Sequence, residues 1–201
     1  MSVVEPWQVE GVPWKTESAY WGWVRGVLRA GSSRNPVKIE YTRRNRIRVP
    51  NPNPNGRNAE VWGMQCATCK GLFSMPIGQA TRKRIEKATG VPLYTIEINH
   101  KSEAGTLKNK RDLGEFATRL LYINFDDLEP QCQNCHRIIS YSQRHNISFE
   151  EAEIEKRVIA IIKEGDREWL KTRVGYLVGS NAKIRRQQIT EIVRSEYYDR
   201  G

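Results

Sequence analysis

The sequence predicts a mixed α+β fold, a small core carrying polar and largely helical flanks, and three observations predict it. Hydrophobic residues make up only 38% of the 201 positions, which is low for one large core. The stretch Tyr94-Thr-Ile-Glu-Ile-Asn-His100 alternates apolar and polar residues with the two-residue period of a half-buried strand. Apolar residues recur at helical spacing near both ends of the chain, so helices flank that strand.

The first segment, 1–58, reads as an aromatic and basic helix followed by an arm. Glu17 to Ala30 has the pattern of a helix, with Thr16 or Ser18 as cap and Tyr20, Val24, Val27 and Leu28 along one side. Trp7, Trp14, Trp21 and Trp23 could stack on bases, but anchoring a short helix to a core is the commoner use of such residues. From Val24 to Arg57 nine basic residues (Arg25, Arg29, Arg34, Lys38, Arg43, Arg44, Arg46, Arg48, Arg57) face Glu40 alone, so this segment carries +8 of the net +10. Such an excess favours a polyanionic partner, because each neutralised phosphate releases condensed counterions. Val49-Pro-Asn-Pro-Asn-Pro-Asn-Gly56 cannot continue a helix or a central strand and reads as an extended linker of a DNA-tracking arm.

The last segment, 147–201, reads as helical. Ser148-Phe-Glu-Glu151 has the form of a capping box, and Ile154, Val158, Ile161 and Ile162 continue a helix to about Gly165. A second helix covers about 167–178. A third runs from about Asn181 to Tyr198 with Ile189, Ile192, Val193 and Tyr197 as its apolar stripe. Lys183, Arg185, Arg186 and Arg194 read equally as phosphate contacts or as a solvated face.

The beginning of the sequence shows no basic stretch followed by an apolar one, and no apolar run approaches the roughly 20 residues that span a bilayer. The expectation is a protein of the cytoplasm, without membrane association. In that reducing compartment cysteines serve better as metal ligands than as disulfides.

The segment 59–146 holds all four cysteines and all three histidines. Cys66-Ala-Thr-Cys69 and Cys132-Gln-Asn-Cys135 can each present two thiolates to one ion, and together they complete a tetrahedral structural Zn²⁺ site. A redox pair would explain one such motif but not two. Between them the strand delivers Asn99 and His100 at its far end. His136 follows the second pair directly and opens a helix from Cys132 to about Arg144.

At these residues the chain resembles the HNH, or ββα-metal, nucleases, and within them the phage-type proteins with two Cys-x-x-Cys pairs. Tyr20-Trp-Gly-Trp-Val-Arg-Gly-Val-Leu-Arg29 looks like that group's N-terminal aromatic-basic helix, and Asp112-Leu-Gly-Glu-Phe-Ala-Thr-Arg-Leu120 looks like its inserted helix. Asp127-Leu-Glu-Pro-Gln-Cys-Gln-Asn-Cys-His136 matches its signature end, and Ile147–Ala152 and Ser180–Arg186 fit its tail. The resemblance implies a small ββα-metal core stapled by zinc, and an endonuclease that nicks or cuts DNA, double-stranded by expectation, in the host cytoplasm if phage-encoded.

Carried over by position, His100 is the general base that activates water, and His136 binds a catalytic divalent ion, Mg²⁺ or Mn²⁺. Asn99 stands where the family commonly has Asp, a ligand of that ion. Asp127 stands where the family's middle Asn fixes the loop between the strands. Asn for Asp keeps a carbonyl ligand but removes a negative charge, which weakens metal binding. These departures leave a competing reading, a zinc-stabilised DNA-binding module with a decayed site; an RNA-cleaving enzyme would use the same chemistry. The chemistry itself follows from the substrate: a phosphodiester anion repels hydroxide, so an ion must neutralise charge while an imidazole takes the water's proton. His145 reads as a solvent or phosphate contact, Glu97 as strand-edge polarity on the side of Asn99, and Lys101, Arg137 and Lys108–Arg111 as further phosphate contacts.

Overall fold

Thr16 starts the first helix as expected: its Oγ1 accepts the Ala19 N–H and satisfies one of the donors that a helix leaves open at its first turn. The computed structural model describes residues 4–102 and 104–199; the first three residues of the N-terminal segment lie outside them. The chain divides into two compact units, one running to Gln133 and the other starting at Asn134.

In the first unit, α1 (Glu17–Ser33) packs on α4 (Leu113–Leu121). Trp21, Leu107, Phe116 and Leu120 are buried together, with Trp7, Tyr20, Val24 and Leu28 against them. Trp14 lies on Trp23 at 4.8 Å between ring centroids, and Trp7 and Trp14 both touch Tyr20. The tryptophans thus anchor the N-terminal helix, although Trp23 remains half exposed.

The basic stretch is folded. Asn35 caps α2 (Pro36–Asn45), with Pro36 at the first helical position where its missing N–H costs nothing. A strand β1 (Ile47–Pro50) follows, pairing antiparallel with β2 (Glu60–Gln65), which in turn pairs with β3 (Leu72–Ser74). This differs from the extended linker expected at Val49–Gly56. Pro50 is tolerated because β1 lies at the edge of the sheet, and Val49 is buried against Gly63 of β2. A Cβ at Gly63 would stand 2.2 Å from the Phe73 carbonyl oxygen and 2.4 Å from a Val49 methyl, so only glycine lets these strands close. Beyond Pro50 the chain turns tightly: Asn51 Oδ1 accepts the Asn53 N–H, and Asn51 N–H donates to the Ala59 carbonyl.

After α3 (Gln79–Thr89), which the pattern alone did not reveal, comes β4 (Ile96–His100). It pairs antiparallel with β5 (Leu128–Cys132) in the register Ile96↔Cys132, Ile98↔Pro130, Asn99↔Glu129 and His100↔Leu128. The insertion between the two strands carries α4. β5 runs directly into α5 (Gln133–His145), so the chain order here is strand, strand, helix.

The second unit is built on α6 (Phe149–Val174) and α7 (Ala182–Tyr198). Ser148 Oγ accepts the Glu151 N–H, and Asn181 Oδ1 accepts the Ile184 N–H. Gly165, at φ 134°, breaks the helical path of α6 where a helix end is expected, and helix resumes beyond it. Ile154, Val158, Ile161, Leu170, Ile189 and Val193 form its core. Three of the basic residues on α7 are tied to α6: Arg185 to Asp166 at 2.7 Å, Arg186 to Glu155 at 2.6 Å and Arg194 to Glu151 at 2.8 Å. Among the described residues no helix is long and apolar enough to cross a membrane.

Candidate metal centre

Cys66 follows the last residue of β2, and the chain reverses at once. Its N–H donates to the Gly71 carbonyl at 2.8 Å and its carbonyl accepts from Lys70 N–H, with Lys70 in the left-handed region at φ 59°. This tight turn folds Cys69 back toward Cys66. The second pair is carried by the end of β5 and the first turn of α5. The Ala67 N–H donates to the Pro130 carbonyl at 2.8 Å and the Cys132 N–H to Cys66 Sγ at 3.3 Å, which ties the turn to the strand.

The four sulfur atoms of Cys66, Cys69, Cys132 and Cys135 all lie within 4.8 Å of one another. Cys69 Sγ and Cys132 Sγ are 3.9 Å apart, far beyond a disulfide bond of about 2.05 Å. The distance matches the roughly 3.8 Å edge of a tetrahedron with metal–sulfur bonds of about 2.3 Å. All four cysteines are free, and three of them are buried. Burial pushes the Cys66 thiol up, but the N–H groups of Cys132, Cys69 and Thr68 aimed at its sulfur outweigh that and bring it down to about 7. Thiolate is the form that binds a metal, so the backbone of the turn is arranged for one. The cluster can hold a metal ion such as zinc.

His100 ends β4. Lys101 N–H donates to the Asp127 carbonyl at 2.9 Å and closes the two-stranded sheet just past it. The His100 ring is half-buried and donates to the backbone carbonyl of Arg119, in the last turn of α4, while its Nε2 is buried without a hydrogen-bond partner. The donating nitrogen is therefore Nδ1, and the free lone pair is on Nε2. Burial lowers the His100 pKa and the charge of Lys38 lowers it further, against the opposing pull of the Arg119 carbonyl and the Asp127 carboxylate. The imidazole is thus held neutral, with one fixed N–H and one unused acceptor.

Strand alternation places Asn99 on the opposite face of the β4–β5 sheet from His100. There Asn99 Nδ2 donates to Gln131 Oε1 at 3.3 Å, and Gln131 Nε2 donates to Glu129. Glu97 shares this face and accepts from Gln133 Nε2 at 2.9 Å. Asn99, Glu97 and Glu129 thus share one face of the β4–β5 sheet. Asp127 Oδ2 accepts the Asn124 N–H at 2.8 Å, fixing the 3-10 turn that leads into β5. His136 lies half-buried on the first turn of α5, directly after Cys135. His145, at the end of α5, is exposed and stacks on Tyr141 at 4.1 Å. The Lys101 and Arg137 side chains are exposed.

Three participants could not be read from local pattern. The Arg119 carbonyl reaches His100 from the insertion, Gln131 holds Asn99 across the sheet, and Lys38 approaches His100 from α2. No protein-family model, curated protein or solved structure matches the chain.

Proposed function

We propose that the protein is a zinc-tied, metal-dependent endonuclease of the HNH type that hydrolyses phosphodiester bonds in double-stranded DNA. One observation carries the reading: His100, at the end of a strand in a strand–strand–helix arrangement, has Nδ1–H donated to a backbone carbonyl and Nε2 unused. A neutral imidazole so held is a general base. Nε2 takes a proton from water as the new phosphorus–oxygen bond forms and the ester bond to the leaving oxygen breaks. The Arg119 carbonyl fixes the tautomer and stabilises the imidazolium produced, for a gain of about 10²–10⁴-fold.

Zinc on Cys66, Cys69, Cys132 and Cys135 is structural in this scheme: it joins the turn after β2 to the end of β5 and so sets where α5 begins. Asn99, through Oδ1, and His136 would be ligands of a hard divalent ion, Mg²⁺ or Mn²⁺. Asn99 and His100 face opposite sides of the sheet but are the last two residues of β4, so both would meet one phosphate at the end of that strand. The ion would neutralise charge on the non-bridging and leaving oxygens. The oxygen-rich surroundings of Asn99, with Glu97 and Glu129 on the same face, suit such an ion and supply negative charge that Asn99 itself lacks. The basic N-terminal segment supports a nucleic-acid substrate: Arg25, Arg29 and Arg34 have no ion pair among the described residues, whereas Arg43 and Arg44 share Glu40.

A second reading, a zinc-tied DNA-binding module with a decayed site, is favoured by the uncharged Asn99 and by the commitment of Asp127 to its turn. One experiment decides between them. Zinc-loaded protein with Mg²⁺ or Mn²⁺ nicks or cuts plasmid DNA, and His100→Ala removes cleavage while zinc content and DNA affinity persist. A zinc-loaded wild type that binds DNA and never cleaves it establishes the module instead. RNA offered in parallel separates the two nucleic acids.

A further inference from the structure

We infer that Lys38 is the anion-holding residue of this site, its ammonium taking a non-bridging oxygen of the scissile phosphodiester while His100 Nε2 takes the attacking water. The inference rests on the nuclease reading and adds a ligand class, a phosphodiester oxygen, at a residue outside the motif.

The geometry begins at the C-terminal end of α4, where successive backbone carbonyls lack helical partners. Side chains from three places take them. His100 donates to the Arg119 carbonyl, Ser32 Oγ donates to the Leu120 carbonyl at 3.2 Å, and Asn35 Nδ2 donates to the Leu121 carbonyl at 2.9 Å. Asn35 is also the cap of α2, its Oδ1 accepting the Val37 N–H. The end of α4 therefore fastens the start of α2 and the His100 ring to neighbouring carbonyls, and Lys38 sits in the first turn of α2. Tyr41, one turn further along the same side, feels the Glu129 carboxylate and stacks edge-on against Phe125 of the turn leading into β5. This side of α2 thus meets the 3-10 turn that leads into β5.

Lys38 is half-buried, and its ammonium has no ion pair and no hydrogen bond among the described residues. Arg43 and Arg44, later on the same helix, are more exposed and are both paired with Glu40. An ammonium partly withdrawn from water and left unpaired costs free energy that an anion recovers. Burial also makes the Lys38 charge harder to hold. In the field of this charge, His100 Nε2 is an acceptor without a donor. An unpaired cation and an unpaired acceptor are satisfied together by a phosphate oxygen and a water. Nε2 is closed off from bulk water, and the flexible four-carbon stem of lysine lets the ammonium shift when a phosphate oxygen binds.

The test compares wild type, Lys38→Met and Lys38→Arg as full chains, with zinc content and melting temperature reporting on the fold. Lys38→Met should lower kcat on plasmid DNA by about 100-fold with a smaller change in KM, and Lys38→Arg should recover at least about tenfold of that. Once the cut position is mapped, a duplex with one neutral methylphosphonate there is bound by inactive His100→Ala protein. The modification should cost about tenfold in affinity with Lys38 present and nothing when Met replaces it. If Lys38→Met does not fold, Lys38→Gln takes its place. Cleavage by the Met variant within about threefold of wild type, or an equal methylphosphonate penalty in both backgrounds, overturns the assignment alone. A wild type that does not cleave overturns the nuclease reading and the assignment with it.

Discussion

Stripping the metal from the four-cysteine cluster should open the first unit and leave the second helical. Two backbone N–H donors tie the turn at Cys66 to β5, Ala67 N–H to the Pro130 carbonyl and Cys132 N–H to Cys66 Sγ. At about 1 kcal/mol each they supply roughly 2 kcal/mol. Bringing residues 66 and 132 together closes a long loop, which costs on the order of 4 kcal/mol in chain entropy. A structural zinc contributes on the order of 10 kcal/mol, enough to reverse that balance, and small domains have only about 5–15 kcal/mol of net stability. α6 and α7, with 26 and 17 residues, pack on each other through a core that contains no cysteine. Far-ultraviolet circular dichroism during titration with a strong zinc chelator should therefore show a partial loss of helix, and metal analysis one zinc released per chain. Cys66→Ser should behave as the stripped protein does, because a buried thiolate that receives three backbone N–H groups is removed. A metal-free protein with the same spectrum and the same melting curve would refute the reasoning, as would a Cys66→Ser variant of unchanged stability.

His100 acts as a base only when neutral, and its pKa is lowered, so cleavage should rise with pH and level off at a midpoint below the ordinary histidine value of 6.5; a midpoint above it contradicts the environment described. Gly63→Ala should destabilise the three-stranded sheet by about 3 kcal/mol or more, since the added methyl meets a backbone oxygen as well as Val49; denaturant unfolding measures it, and an unchanged midpoint refutes the packing. Changing Arg25, Arg29 and Arg34 together to Gln should flatten the dependence of log affinity on log salt by about 0.9 for each phosphate that is no longer neutralised, and an unchanged slope places the DNA elsewhere. Point changes suit this test better than deletion of residues 1–57, which would also remove β1 and the Trp21 anchor.

The ends of the helices and the strand are legible because their signals are local. Thr16, Ser148 and Asn181 cap as their side chains dictate, Gly165 breaks a helix through its own backbone freedom, and Ile96 and Ile98 alternate within five residues. Cys66, Cys69, Cys132 and Cys135 are legible as one group because their spacing is that of a metal site, and the fold brings their sulfurs within 4.8 Å. The basic stretch misleads at Val49 and Pro50, where a run of prolines conceals an edge strand. Whether such a run pairs depends on Gly63, a residue distant in sequence that leaves room for it. The α7 arginines are ion-paired to α6 for a similar reason: the carboxylates they meet belong to another helix.

What the sequence alone determined is the set of chemical groups and their local frame: four thiolate donors in two turns, Asn99 and His100 at a strand end, and His136 at a helix start. Only the tertiary structure decided which nitrogen of His100 is free and that the charge of an unpaired Lys38 acts on the His100 ring. The reason is physical. Residue type and spacing fix what a side chain can donate or accept, whereas its tautomer, charge and unused valence depend on groups such as the Arg119 carbonyl that arrive from distant parts of the chain.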